Sequence, residues 1–317
     1  MPEYPDIALY RERIEERLLG QPLLGVRIAS PFVLRTYAPT LAECAGKRIQ
    51  HMGTLGKRLV FGLEEELFLV VHLMIAGRFR FSEKPGEKIP GKVGLLAMDT
   101  PKGTLLLTEA SPKKRASLHV LRGEAGVRAM DPGGIDVLSA TATEFGARLQ
   151  SENRTLKRAL TDPRLLSGIG NAYSDEILFA AGLSPVTRTQ SLSESEVAKL
   201  HRATQDTLLG WAKKLKDETP GFPEKVTAFR PDFAMHGKFG KPCPRCGGAV
   251  QRIRYASNES NYCPRCQTDG KLLADRSLSR LLRGDWPKSL EELEERKQTG
   301  AAPAKKSLPK RSLPKRN

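Results

Sequence analysis

No run of eighteen apolar residues occurs in this 317-residue chain; the longest candidate, Leu67 to Ile75, falls well short. A membrane-spanning helix needs about 20 such residues, so neither a membrane span nor a membrane partner is expected. The opening stretch, MPEYPDIALY, lacks the apolar core of a secretory signal, which points to a reducing intracellular compartment, the cytoplasm. Cysteine is scarce as well: there are five, an odd number for a disulfide framework, and Cys44 stands apart from the other four. Acidic residues are in deficit, 36 Asp and Glu against 52 Lys and Arg, for a net charge of +16 and a pI near 9.8. An excess of that size attracts a polyanion, and nucleic acid is the usual one. A basic proteome or a basic tail would be the plainer explanation. The tail does contribute: Lys297, Lys305, Lys306, Lys310, Arg311, Lys315 and Arg316 supply seven of the sixteen surplus charges. The remainder belongs to the folded part.

The four remaining cysteines form two C-x-x-C pairs, Cys243-Pro-Arg-Cys246 and Cys263-Pro-Arg-Cys266, separated by sixteen residues. That spacing matches a four-thiolate zinc ribbon, in which each pair gives two sulfurs from a tight knuckle and a hairpin closes the tetrahedron. Four cysteines leave no open coordination position. One Zn2+ is therefore expected to hold a hairpin in place and to do no chemistry, which must be sought elsewhere.

Residues 3 to 19 read as an amphipathic helix, with Ile7, Tyr10, Ile14 and Leu18 at three- and four-residue spacing and Gly20 as its stop. Before it stands Met1-Pro2, a start from which the initiator methionine is normally removed, leaving a proline secondary amine. An α-amine titrates near 8 where lysine titrates near 10.4, so more of it is neutral and nucleophilic at pH 7, and Glu3 beside it can move protons. Taken alone, such a start also arises by chance. From about 22 to 120 come short β-rich runs broken by Gly and Pro, at 24–28, 47–50, 57–63, 67–74, 77–81, 93–98 and 104–108, which suggest a β-sandwich or barrel. Helical spacing follows at 142–150, 155–160, 172–181 and 193–214, the last opening on a possible capping box of Ser193 with Glu196. In Gly168-Ile-Gly170-Asn171, ahead of a helix, exposed amides are placed to receive a phosphate; an ordinary corner with a capping Asn is the alternative. Residues 216 to 242 read as a linker. Beyond the ribbon, a short helix at 276–282 and an acidic one at 289–296 precede the repeat SLPKR-SLPKR, whose charge and prolines favour disorder.

Together these pieces resemble the formamidopyrimidine-DNA glycosylase and endonuclease VIII family, over most of residues 1 to 270. The likeness rests on Met-Pro-Glu-x-Pro-Asp before a helix, Gly56-Lys57-Arg58-Leu59, His72-Leu73 with Gly77, Gly168-x-Gly-Asn171-x-Tyr173-x-Asp-Glu176 and the ribbon. It implies an α+β multidomain fold: an N-terminal catalytic helix and β-sandwich (1–128), a helix-two-turn-helix DNA-binding domain (129–222), a linker and zinc ribbon (223–275) and a C-terminal extension (276–317). It also implies a monomer that acts on damaged double-stranded DNA in base-excision repair, as a glycosylase with abasic-site lyase activity. Pro2 would attack C1′ of an extruded nucleotide and form an iminium, with Glu3 moving protons and Lys57 contacting phosphate and assisting elimination. Asn171 would hold phosphates, and His72, Ile75, Arg115, Arg154, Tyr173, Arg254 and Asn258 complete the expected DNA contacts.

Several positions depart from the family pattern. Asn258 stands five residues before the third cysteine, where the family usually presents an arginine; it offers one neutral amide in place of a charged fork, so Arg252 or Arg254 would have to substitute. The void-filling methionine is matched by Ile75, or by Met74 displaced by one. The family's Asp-Pro-Arg-Arg-Phe loop is replaced by Ser111-Pro-Lys-Lys-Arg115, and Arg154 matches the lysine often found before the helical hairpin. No glycine-threonine-rich lesion-capping loop is recognisable, Pro220-Gly-Phe-Pro-Glu-Lys225 standing in its place, so no preferred lesion is assigned. A catalytically weakened damaged-DNA-binding protein of the same fold is the alternative reading.

Overall fold

The computed structural model describes residues 1–224, 226–227, 229–254, 258–274 and 287–298. The expected helix at 276–282 and the terminal SLPKR repeat lie outside the described residues, as do Ala256 and Ser257 before Asn258.

Helix α1 (Tyr4–Leu18) starts with Pro5 in its first turn, where a missing N–H costs nothing, and Asp6 accepts the Glu3 N–H at 3.0 Å. Its apolar stripe of Ile7, Tyr10, Ile14 and Leu18 is fully buried against a β-sandwich. One sheet has the order β1 (Gly25–Ile28), β6 (Gly94–Thr100), β7 (Gly103–Glu109), β5 (Gly77–Ser82). The other runs β2 (Ile49–Leu55), β3 (Arg58–Leu63), β4 (Leu67–His72), β8 (Ser117–Arg122), and all pairings in both sheets are antiparallel. Tyr10, Phe61 and Phe79 pack edge to face at the centre of this core. The expected sandwich is therefore present; β8, which was not among the runs read from the sequence, closes its second sheet.

After the short α2 (Gly123–Arg128) come α3 (Ala142–Gln150), α4 (Leu156–Thr161), α5 (Asn171–Ala181) and α6 (Glu194–Glu218), gathered on a second core that includes Phe145, Leu160, Ile177, Leu200 and Phe233. The capping box of Ser193 and Glu196 forms, with reciprocal backbone bonds of 2.9 and 3.3 Å. Helix α6 runs on to Glu218, and there Arg13 of α1 donates to the carbonyls of Lys216 and Thr219, so the orphan acceptors at its C-terminus are met by a cation. That bond fixes α1 between sandwich and helical core. The ribbon follows as a hairpin of β9 (Gln251–Arg254) and β10 (Glu259–Tyr262), then α7 (Pro264–Gln267); α8 (Leu290–Gln298) lies beyond.

Candidate active site and nucleic-acid interface

The start of the chain is pinned where the two cores meet. Tyr4 N–H donates to the Gly168 carbonyl at 2.9 Å, and the buried Glu3 carboxylate receives the N–H groups of Gly170 (2.6 Å), Ala172 (2.9 Å) and Tyr173 (3.2 Å). These amides open α5, whose first turn has orphan donors and the positive end of the helix dipole. The sequence pattern suggested that they bind a phosphate; the anion they bind is Glu3. Each glycine of the motif has its own reason. Gly168 has φ +81, and a Cβ on Gly170 would stand 2.5 Å from Glu3 Cδ. Pro2, buried beside Glu3, is thereby held at the same junction.

Lys57 reaches this region from the tip of the β2–β3 hairpin. The two-residue connection Gly56-Lys57 needs positive φ at its first residue, and Gly56 has φ +58. A Cβ there would lie 3.4 Å from Ser167 Oγ, which sets the tip against the loop that receives Glu3. Burial pushes the Lys57 ammonium below the ordinary lysine value, against the opposing pull of Glu3. The α-amine of Met1, one residue before Pro2, is likewise lowered, chiefly by burial, with Glu3 acting the other way. Both shifts lower the basicity of the amine concerned and so favour its neutral form, the one that attacks carbon or takes a proton.

Asn171 joins α5 to the ribbon, its Nδ2 donating to the Glu259 carbonyl at 3.1 Å. Behind it lies a buried polar cluster not anticipated from sequence. Lys157 Nζ donates to the Asn171 carbonyl (2.7 Å), Ser174 Oγ (2.8 Å) and Asp175 Oδ1 (2.6 Å); His236 Nδ1 lies 2.8 Å from Asp175 Oδ2, and Ser260 donates to Asp175 Oδ1 at 3.0 Å. Burial raises the Asp175 carboxyl, but Lys157 and His236 outweigh that and hold it below the usual carboxylate range. The Glu176 carboxylate accepts the N–H groups of Ala234, Met235 and His236 at 2.8 to 2.9 Å, tying the approach to the ribbon onto the same helix.

The sulfurs of Cys243, Cys246, Cys263 and Cys266 all lie within 4.8 Å of one another, with Cys243 to Cys266 at 3.9 Å and Cys246 to Cys263 at 3.4 Å. A tetrahedral zinc with bonds of about 2.3 Å places its sulfurs about 3.8 Å apart, so the donor set fits one structural Zn2+.

Three family models match in order: the formamidopyrimidine-DNA glycosylase N-terminal domain over residues 1–117, its H2TH domain over 134–217, and the zinc finger found in FPG and IleRS over 240–268. The formamidopyrimidine-DNA glycosylase of Thermus thermophilus is 34% identical over 286 residues, covering 85% of this chain and 100% of that protein. This chain belongs to the formamidopyrimidine-DNA glycosylase family, DNA glycosylases of base-excision repair. The Chloroflexus aggregans member is 29% identical, with 84% of this chain and 98% of that protein covered. Among solved structures, MutM (Fpg) from Thermus thermophilus superposes with a TM-score of 0.70 at 31% identity, covering 84% of this chain and 98% of that one. The Lactococcus lactis Fpg, solved with DNA containing an abasic site, shares the fold with a TM-score of 0.73 at 23% identity, covering 84% and 99%.

The other expected site residues differ in exposure and partners. His72 closes β4 with Nδ1 accepting the Met74 N–H at 2.9 Å, which leaves its proton on Nε2. Burial first, then the charges of Arg58 and Lys57, lower it to about 4, so it is neutral at pH 7. Ile75 is 57% exposed at the β4–β5 turn, where Met74 adopts φ +52; of the two void-filling candidates, Ile75 is the one that projects. Arg115, Arg254 and Asn258 are exposed, while Arg252 pairs with Glu259 and stacks its guanidinium 4.2 Å from the Phe239 ring centre. Two more of the expected residues have protein partners. The Tyr173 ring is 1% exposed and packed edge to face on Trp211 and Phe233, while its N–H faces Glu3. Arg154 is engaged by Asp162 at 2.5 Å and by Glu152; the cation behind Asn171 is Lys157.

Proposed function

We propose that this chain excises damaged bases from duplex DNA and then cuts the abasic strand, using the secondary amine of Pro2 after removal of Met1. The observation that carries the reading is the Glu3 carboxylate, buried and held by three backbone amides of the 170–173 segment, since a carboxylate fixed so firmly beside the chain start fits a proton carrier for an amine nucleophile. Pro2 nitrogen attacks C1′ as the C1′–N bond to the base breaks and the base leaves with a proton. Glu3 takes the proton from the alkylated Pro2 nitrogen and passes it to O4′, so the sugar ring opens as the freed nitrogen lone pair forms the iminium. Loss of a 2′ proton then expels the 3′ phosphate, and water releases the aldehyde product from Pro2. Lys57, of lowered basicity, assists that elimination and holds phosphate. Asn171, Arg115, Arg254 and the ribbon tip grip the bent backbone, and Ile75 enters the space left by the extruded nucleotide. The zinc supplies no chemistry; it holds the hairpin that abuts Asn171. The protein is expected to act as a monomer in a reducing intracellular compartment, and among the described residues no helix is long and apolar enough to cross a membrane.

Borohydride trapping on duplex DNA containing an abasic site tests this reading. A covalent adduct that vanishes in Pro2→Gly supports it. Tight binding with no adduct from the unmodified protein would instead support a damage-binding protein without turnover, the reading that the exposed, neutral Asn258 favours.

A further inference from the structure

We propose that Phe229 is the surface on which the extruded base stacks while its bond to C1′ is broken, an inference that rests on the glycosylase reading above. The segment between α6 and the ribbon is carried across the start of α1 by two arginines. From β5, Arg78 donates its Nε to the Val226 carbonyl at 2.5 Å and its Nη1 to the Gly77 and Ile75 carbonyls at 2.6 and 3.3 Å. Arg230 donates to Asp6 Oδ1 at 2.6 Å, and the other oxygen of that carboxylate accepts the Glu3 N–H. Phe229 lies between these two anchors and is 71% exposed. What sets this exposed ring apart is its place, on a segment whose anchors converge on Glu3 and Ile75.

The ring is also prepared from behind. It lies 5.7 Å from the His236 ring and 22° from parallel, and His236 is fixed in turn by Asp175 at 2.8 Å. Gly237, with φ +73, allows that approach: a Cβ there would stand 3.2 Å from Phe229 Cδ1. One face is therefore backed and the other open. A flat apolar face recognises a nucleobase by its π-surface and not by its hydrogen-bonding edge, so it accepts purines and pyrimidines alike. That suits a chain without a recognisable glycine-threonine-rich capping loop.

Because an abasic site has no base to stack, the two half-reactions separate the roles. Single-turnover rates would be measured for Phe229→Ala and Phe229→Trp on an abasic duplex and on duplexes containing 8-oxoguanine, a formamidopyrimidine or a ring-saturated pyrimidine. Phe229→Ala is expected to excise bases at least tenfold more slowly, about 1.4 kcal/mol, while cutting the abasic strand at the unmodified rate, and Phe229→Trp is expected to restore excision. Equal slowing on both substrates would overturn the proposal and assign Phe229 to general DNA contact. Unchanged excision would overturn it too, as would an unmodified protein that cuts abasic strands but excises none of the bases. Failure of the unmodified protein to cut abasic DNA would sink the underlying lyase reading and this inference with it.

Discussion

Replacing Gly170 by alanine isolates the contact on which the site is built. At this position φ is −135° and ψ is −158°, extended backbone that alanine adopts freely, so the substitution acts through space and not through strain. The added Cβ would stand 2.5 Å from Glu3 Cδ, 2.7 Å from Oε1 and 2.9 Å from Cγ, where carbon atoms ordinarily meet at about 3.5–4.0 Å. Relief requires the carboxylate to withdraw by about 1 Å, which stretches bonds now at 2.6, 2.9 and 3.2 Å past useful length. Overpacking of this kind costs about 1–3 kcal/mol of stability. The catalytic loss should be larger in kind, because a displacement of about 1 Å in a positioned reacting group costs roughly 100-fold in rate. The assay is the single-turnover rate of borohydride trapping on abasic duplex, with thermal melting and bound zinc as checks on folding. A folded Gly170→Ala protein trapping within about threefold of the unmodified rate would refute the role given to the Glu3 cradle.

Further outcomes follow from the surrounding geometry. Asn258→Arg places a charged fork at the exposed ribbon tip; affinity for duplex DNA should rise and the log–log salt slope should steepen by about one contact, both readable in binding titrations at several salt concentrations. Asp175→Asn leaves buried Lys157 without its counter-ion and should cost about 3 kcal/mol or more in denaturant unfolding. His72 is depressed to about 4 from an unfolded value near 6.5, so the unfolded chain binds the extra proton between those limits. Its contribution is thus fully present above about 6.5 and lost as pH falls toward about 4, and a His72→Asn variant should show a flatter melting temperature across that window.

What could be read from sequence was what depends on neighbours close along the chain. The C-x-x-C pairs, the stripe of Ile7, Tyr10, Ile14 and Leu18, and the Ser193–Glu196 cap are local patterns, and each took its expected structure. What was not legible lies where distant partners decide. Tyr173 stands in a motif beside Asn171, which suggested a DNA contact, yet Trp211 and Phe233 close over its ring from another helix and the loop beyond it. Lys157 resembles any surface lysine until α5 folds back and supplies Ser174, Asp175 and the Asn171 carbonyl. The amides around Gly170-Asn171 were read as either a phosphate site or an ordinary corner, whereas those of Gly170, Ala172 and Tyr173 hold a carboxylate from the far end of the sequence, 167 residues away from Gly170. Strand β8 alternates buried and half-buried residues, a faint signal directly after the basic Lys113-Lys114-Arg115 loop, and its pairing with β4 makes it a strand.

The most direct test of a proline nucleophile is mass spectrometry of the borohydride-trapped complex after nuclease and protease digestion. The expected result is a sugar remnant on the N-terminal peptide that begins at Pro2, with Met1 absent. A remnant on Lys57, or on any peptide that leaves Pro2 unmodified, would contradict it.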